Sequence, residues 1–144
     1  MCTIHYMARE HLDDHWDSIK GYLESGLFYS EGEIDINQLR LLVVQGAAHL
    51  IVGIDHDDSD KLCGALAFEI RTYPNYRAAN IISLGGDHLF LCESDLILLR
   101  EELRKADIKR IEGWCKPAQA KLFKTKLGAS TPYQMIRINL EEVA

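Results

Sequence analysis

The sequence contains no uninterrupted apolar run that could cross a membrane. Its apolar stretches, such as Leu96–Leu99, fall far short of the roughly 20 residues that a spanning helix requires. The N-terminal residues MCTIHYMAREH lack an apolar segment followed by small residues, so no secretory signal is visible. We therefore expect a protein that has no membrane span, is not secreted and stays in the cytoplasm where it is made.

A strong positive charge is also missing. Lysine and arginine total 16 against 22 aspartate and glutamate residues, which gives a formal net charge of -6. A protein with this balance has no global basic field with which to hold a nucleic-acid backbone. We accordingly expect no nucleic-acid partner.

Patterns typical of metal sites are absent too. The sequence has no C-x-x-C pair and no histidine at zinc-finger spacing from a cysteine, so reduced, mostly buried thiols are expected. The acidic run at residues 55–60 is similar to a calcium loop in composition, but Asp60 and Leu66 replace the required glycine and glutamate. We expect a solvated hairpin turn there and no metal site. The four cysteines are Cys2, Cys63, Cys92 and Cys115.

What the sequence does contain is enough apolar material for one domain. Hydrophobic residues make up 47% of the 144 positions. A chain of this length buries roughly 68% of the surface that it exposes when unfolded. No repeat, low-complexity tract or linker-like segment divides it. We predict a single domain over residues 1–144.

Apolar periodicity predicts the first elements. Alternation in residues 2–6 predicts a strand, and helical spacing in residues 9–25 predicts an amphipathic helix with Trp16 in the core. A second helix is expected after Ser30 and Glu33, which have capping-box spacing, and should end near Gln45.

Five more strands and two more helices follow. Apolar runs on either side of DDSD predict a hairpin, and YRAANIISL predicts the next strand. Residues 93–106 return to helical period, IKRIEGW is typical of a short strand, and a helix should run from Pro117 to Gly128. YQMIRINL is expected to be the last strand. The order β-α-α-β-β-β-α-β-α-β is that of an α/β layer fold.

That order resembles the GNAT family of N-acetyltransferases, and the closest local similarity lies in IKRIEGWCKPAQAKLFKTKLGA. There, Lys126, Leu127 and Gly128 stand where many members close a helix with a Lys-Leu-Gly-Phe-like sequence. The resemblance covers nearly the whole chain as element order, and residues 108–129 as residue similarity. It implies a single GNAT-like domain with a mixed, twisted sheet flanked by helices, and acetyl-CoA as the cofactor of active members.

The segment that corresponds to the family's phosphate-binding loop is altered. The family pattern, Arg/Gln-x-x-Gly-x-Gly/Ala, lets backbone N–H groups at a helix N-terminus approach a pyrophosphate. By the family's usual spacing the loop falls on DHLFLC, where Asp87, Phe90 and Cys92 replace the expected residues. A carboxylate about 4 Å from a phosphate charge would cost on the order of 4 kcal/mol at an effective dielectric of about 20. Lys124 likewise replaces the tyrosine with which many members protonate the leaving thiolate.

A narrower group is also similar: small GNAT-like proteins of tailed bacteriophages, including the small internal virion protein of some short-tailed phages. This resemblance implies a structural or accessory protein, located in the virion or the host cytoplasm. Such a protein would bind virion or phage assembly proteins, could self-associate, and would need neither a cofactor nor a catalytic residue. We take this as the leading hypothesis. The similar residues, within TYPNYRAANIISLGG, are Tyr73, Pro74, Arg77, Gly85 and Gly86.

The alternative hypothesis is an N-acetyltransferase with an atypical cofactor loop. Leu84, Gly85 and Gly86 would then hold the pantetheine arm of acetyl-CoA, and backbone N–H groups would polarise the thioester carbonyl. Glu69 or His88 would act as the base. Each catalytic candidate also has a simpler interpretation. The alternation of strand residues can place Glu69 on a solvated face of the sheet, and His88 can cap the helix or point to solvent.

Overall fold

The computed structural model describes most of the chain. The described residues are 1–27, 32–87, 90–115 and 117–141, without the side chains of residues 119, 122 and 126. They form two compact units, Met1–Trp114 and Cys115–Ala144. One domain over residues 1–144 stays a prediction.

The first unit is a five-stranded mixed sheet with helices on both faces. The strands lie in the order β1-β2-β3-β4-β5, and neighbouring strands are antiparallel except β4 and β5, which α3 connects in parallel. This confirms the predicted α/β fold. In chain order the elements are β1 (Cys2–Met7), a short 3-10 helix (Arg9–His11), α1 (Leu12–Leu27), α2 (Ile36–Val44), β2 (His49–Asp55), β3 (Lys61–Thr72), β4 (Arg77–Gly86), α3 (Glu93–Lys105) and β5 (Arg110–Gly113).

Two cores hold the helices on the sheet. On one face, α1 and α2 bury an apolar stripe, which includes Trp16, against Ala65 and Ala67 of β3. On the other face, α3 packs Leu99 against Leu66. Each fully buried leucine of this kind stabilises the fold by roughly 1.5–3 kcal/mol. Successive side chains of β3 therefore point into one core and then the other. The core position predicted for Trp16 is confirmed.

The capping pair of α2 differs from the predicted one. Asp35 caps the helix: its Oδ1 accepts from the Gln38 backbone N–H at 2.8 Å, and Gln38 Oε1 accepts from the Asp35 backbone N–H at 3.0 Å. Ser30, the predicted cap, lies outside the described residues. The pairs at 30–33 and 35–38 have the same spacing, and Asp35 directly precedes the buried Ile36. Helix α2 thus begins after Glu33, as expected, and its capping box is formed by Asp35 and Gln38.

The second unit contains α4 (Pro117–Leu127), which is followed by Gly128 with a φ of 66°. These bounds confirm the predicted helix. The strand expected over residues 133–140 does not form, and Ile136 and Ile138 there are 82% and 78% exposed. An alternating pattern does not by itself supply the neighbouring strand with which a β-strand must form hydrogen bonds. In the described part of the sheet, β5 pairs with β4 and with no strand from residues 133–140.

The cysteines follow the prediction only in part. Cys2 and Cys63 are buried, and their sulfur atoms face each other across β2, between β1 and β3. Gly53 of β2 lies between them, since a Cβ there would be 2.8 Å from Cys63 Sγ and 3.0 Å from Cys2 Sγ. Only the strand register brings these residues together across 61 positions of sequence. Cys92 and Cys115 are exposed thiols rather than buried ones.

The acidic run at residues 55–60 forms the exposed turn between β2 and β3, as predicted. His56 Nδ1 lies 2.8 Å from Asp60 Oδ1, and the N-terminal ammonium pairs with Asp57. Across the described ranges, no group of three or more His, Cys, Asp and Glu side chains is arranged to hold a metal ion. No helix in those ranges is long and apolar enough to cross a membrane.

Candidate functional site

The sheet opens between β4 and β5. The parallel ladder pairs Ala78–Ile81 with Arg110–Gly113 and stops there, whereas β4 continues to Gly86. From residue 82 onward, β4 therefore keeps a backbone edge that β5 does not pair. An unpaired edge of this kind presents N–H and C=O groups to an extended ligand.

A bulge in β4 lies at the same point. Ala67 of β3 faces Ser83, whereas the next residue, Phe68, faces Ile81, so Ile82 has no opposite residue on β3. Bulges of this kind bend a strand and redirect the groups next to it. The bulge and the end of the β4–β5 ladder together define the parting of the two strands.

Helix α1 covers one face of β4 beyond the bulge. Ser83 Oγ donates to the Leu23 carbonyl oxygen at 2.6 Å in a buried hydrogen bond. A Cβ at Gly85 would collide with the carbonyl oxygen of Tyr22, and one at Gly26 would collide with the β4 backbone. The glycines therefore permit close contact between helix and strand. This contact gives Gly85 a packing role, and its role in cofactor binding stays a prediction.

The other face of the same strand end carries the ring of Phe90. Gly53, Gly64 and Gly86 are register partners on three neighbouring strands. A Cβ at Gly53 would lie 2.5 Å from Phe90 Cδ1, and one at Gly86 would lie 2.8 Å from Phe90 Cδ2. We call these three residues the glycine floor. Leu84 joins Phe90 in the core below α3, so the binding roles predicted for Leu84 and Gly86 remain predictions beside these packing contacts.

The beginning of α3 is acidic. Cys92 is the N-cap residue, and Glu93 and Asp95 stand in the first turn. Asp95 is only 6% exposed, and its Oδ2 accepts a hydrogen bond from Cys92 Sγ at 3.3 Å. These carboxylates complement the positive end of the helix dipole. His88, a predicted base, lies outside the described residues, so the structure does not place it.

Polar side chains cross three strands beside the parting. Register aligns Glu69 of β3 with Asn80 of β4, and Asn80 with Glu112 of β5. Glu69 Oε1 accepts from Asn80 Nδ2 and from Arg71 Nε, both at 3.0 Å. We call Glu69, Asn80 and Glu112 the polar row. Sequence reasoning identified Glu69 alone, because the other two residues join it only through strand register.

Tyr73 extends the polar row. Its hydroxyl donates to Glu112 Oε1, and this hydrogen bond is the main reason that the pKa of Tyr73 is raised above its ordinary value. Arg110 is engaged elsewhere, since its guanidinium carbon lies 4.3 Å from the centroid of the Tyr76 ring and Nη1 donates to the Tyr76 hydroxyl at 3.2 Å. Glu112 therefore accepts its hydrogen bond from a phenol that Arg71 also contacts, and not from Arg110.

The two faces of the first unit differ at the parting. On the α3 side, Ile81 packs against a core that includes Phe68, Ala79 and Ile108. On the other side lies the polar row, where the Glu69 side chain is 33% exposed. Within this unit, the polar side of the parting is therefore the side of the polar row.

Comparison with known proteins gives no match at the level of sequence families. No protein-family model matches the chain, and no curated protein is significantly similar to it in sequence. The similarity lies in solved structures instead.

Several acetyltransferase structures superpose over nearly the whole chain. An aminoglycoside acetyltransferase from an uncultured soil metagenomic sample, solved with sisomicin, gives a TM-score of 0.67 at 15% identity and covers 97% of both chains. Ribosomal-protein-alanine N-acetyltransferase from Brucella melitensis biovar Abortus gives 0.67 at 11% identity, covering 97% of this chain and 99% of that one. Glucosamine-6-phosphate N-acetyltransferase from Arabidopsis thaliana gives 0.62 at 12%, with coverages of 98% and 99%. The chain has the GNAT acetyltransferase fold, and identities this low show the fold alone.

Proposed function

We propose that this protein is an N-acetyltransferase that moves an acetyl group from a coenzyme A-type thioester to an amine. The observation that carries the proposal is the parting of β4 and β5 after Ile81, with the polar row directly beside it. The acetyltransferases that share the fold over nearly its full length support the same class of reaction.

The described residues fit one end of acetyl-CoA and not the other. When bound, acetyl-CoA supplies an activated acetyl thioester. The free edge of β4 over residues 82–86 suits the extended pantetheine arm, because amide groups can pair with an unpaired strand edge. The start of α3 does not suit a diphosphate, because Glu93 and Asp95 occupy its first turn.

The polar row suits the acceptor. A protonated amine can bind Glu112, whose carboxylate is held in place by the Tyr73 hydroxyl. From the protonated amine, transfer requires the nitrogen to lose two protons, the first to a base before attack and the second as the amide forms, while the leaving sulfur gains one. Glu69 stays the predicted base for the first of these steps. Its Oε1 already accepts two hydrogen bonds, so its Oε2 is the oxygen better placed to receive a proton.

The proposal is tested by incubating the purified protein with isotopically labelled acetyl-CoA and a panel of amines. Labelled product should be followed by mass spectrometry, because Cys92 and Cys115 are exposed and would react with a thiol reagent. We expect Glu112→Gln to lower kcat/KM for the amine by roughly tenfold, and the exposed α3 variant Glu101→Gln to leave it unchanged. Equal activity of the two variants would show that Glu112 does not belong to the acceptor site. Absence of product with every amine would reject the proposal.

The hypothesis of a virion-associated binding protein rests on the resemblance in residues 73–86. It remains a second hypothesis, and the three fold neighbours named above are acetyltransferases rather than virion proteins. Detection of the protein in purified phage particles, together with a stable oligomer by light scattering, would support it. A monomer that is absent from particles would reject it.

A further inference from the structure

The acidic connection between β4 and α3 bears on which thioester the protein uses. We infer that the acyl donor is recognised through its pantetheine arm and thioester, and not through a nucleoside diphosphate. An acylated pantetheine without the nucleotide is then at least as good a donor as acetyl-CoA. This inference rests on the proposed acetyltransferase function and specifies its donor.

The first argument is charge. From Ala78 to Leu99 the sequence contains no lysine or arginine, and it contains Asp87, Glu93 and Asp95. A diphosphate placed at the start of α3 would lie beside the carboxylates of Glu93 and Asp95. The buried carboxylate of Asp95 already occupies the first turn of the helix, where an anion would otherwise gain from the helix dipole. The connection therefore repels the group that a phosphate-binding loop attracts.

The second argument is space. A phosphate-binding loop needs glycines so that the backbone can approach the phosphate closely. The glycine floor receives an aromatic ring instead, because a Cβ at Gly64 would lie 2.8 Å from Phe90 Cβ and one at Gly86 would lie 2.9 Å from the same atom. Phe90 also packs in the core below α3. Admitting a phosphate between Phe90 and the sheet would expose that apolar ring to water, which is unfavourable.

The third argument is what the site retains. Pantetheine is uncharged, and its amide groups need only hydrogen-bonding partners. The β4 edge beyond Ile81 offers such partners, and α1 fixes this part of the strand through Ser83 and Gly85. The part of the donor site that requires no positive charge is thus present, and the part that requires one is replaced by carboxylates and a phenyl ring.

The experiment is a calorimetric titration of the full-length protein with three probes: acetyl-CoA, S-acetylpantetheine and S-acetyl-4′-phosphopantetheine. Each is measured at about 50 mM and about 500 mM NaCl, because salt screens repulsion between charges. We expect S-acetylpantetheine to bind at least as tightly as acetyl-CoA at low salt. High salt should tighten acetyl-CoA binding severalfold and leave S-acetylpantetheine unchanged. The phosphopantetheine probe should fall between them.

A charge-neutralising double variant provides a second measurement. Asp87→Asn with Glu93→Gln should tighten the binding of acetyl-CoA and not that of S-acetylpantetheine. The matched control is Glu101→Gln with Glu102→Gln, which removes two carboxylates further along α3 and should change neither. If a double variant fails to fold, the salt comparison on the unmodified protein still decides the question.

The outcomes separate this inference from the function on which it rests. If acetyl-CoA binds tenfold or more tightly than S-acetylpantetheine, and if high salt weakens the binding of acetyl-CoA, then the protein binds the phosphate groups. The inference is then overturned and the acetyltransferase proposal stands. If none of the three thioesters binds, the acetyltransferase proposal fails and the inference fails with it. Transfer of acetyl from S-acetylpantetheine to an amine, with kcat/KM at least equal to that for acetyl-CoA, would support both.

Discussion

Replacing Gly85 with alanine is expected to destabilise the protein strongly, because α1 lies directly on β4 at this residue. The added Cβ would collide with the Tyr22 carbonyl oxygen and would lie 2.8 Å from Ser25 Oγ. The Tyr22 oxygen belongs to the helix backbone and already accepts from Ser25 Oγ at 2.9 Å, so it cannot rotate away. Helix α1 would have to move off β4 by about 1 Å to restore ordinary contact distances.

Two losses set the magnitude. The buried hydrogen bond from Ser83 Oγ to the Leu23 oxygen, 2.6 Å long, would stretch, and a buried hydroxyl without its acceptor costs about 1–3 kcal/mol. Displacement of α1 from its core adds about 1–3 kcal/mol, as overpacking usually does. We therefore expect the free energy of unfolding of Gly85→Ala to fall by about 2–6 kcal/mol. For a chain of this size, that lowers Tm by on the order of 10 °C.

The assay is thermal and urea unfolding followed by circular dichroism, with Gly21→Ala as the matched control. Gly21 lies on the same helix, is exposed, and has nothing within 4 Å of its would-be Cβ. Alanine there should raise the free energy of unfolding by about 0.5–1 kcal/mol, because glycine weakens a helix interior. If Gly85→Ala unfolds within about 0.5 kcal/mol of the unmodified protein, then α1 does not lie on β4 as described and the reasoning is refuted.

Two further predictions concern α2 and the sheet. Asp35→Ala should lower the free energy of unfolding by about 1 kcal/mol in urea, because the Gln38 backbone N–H loses the Asp35 carboxylate as its acceptor. An unchanged midpoint would show that the cap contributes nothing. Burial lowers the pKa of His49 below 6.5, so the unfolded chain binds more protons as the pH falls through that value, and stability should decrease from about pH 7 to about pH 5. His49→Gln should reduce this decrease, measured from urea midpoints, and exposed His15→Gln should not. An equal slope in both variants would contradict the assignment.

Elements whose signal is local could be predicted from the sequence. The apolar stripe around Trp16 and the helix from Pro117 both carry their own pattern, and both are confirmed. The strand expected over residues 133–140 depends on a partner elsewhere in the chain, which its alternation cannot specify. The capping pair of α2 was missed for a different reason. Two segments, 30–33 and 35–38, have the same capping spacing, and spacing alone cannot choose between them.

The candidate site was only partly predictable because most of it depends on register. Glu69 could be recognised by residue type and strand position alone. Its alignment with Asn80 and Glu112 requires two ladders, one of which passes through the bulge in β4. The contact of Phe90 with the glycine floor depends on register in the same way, since Gly53 and Gly64 become partners only beside a second irregularity, in the β2–β3 ladder. A local spacing rule contains none of this information.

Strand β4 connects the stability of the fold with the donor binding that we propose. Its first part, residues 78–81, is paired on both edges and contains Asn80, the middle residue of the polar row. Its last part lacks a partner on one edge, and an edge of this kind is a liability unless other contacts hold it. Here α1 holds one face through Ser83 and Gly85, and Phe90 holds the other at Gly86. Substitutions that loosen either contact should therefore weaken donor binding as well as the fold. A variant that lost stability at this end of β4 but kept its donor affinity would show that the free edge is not the binding surface.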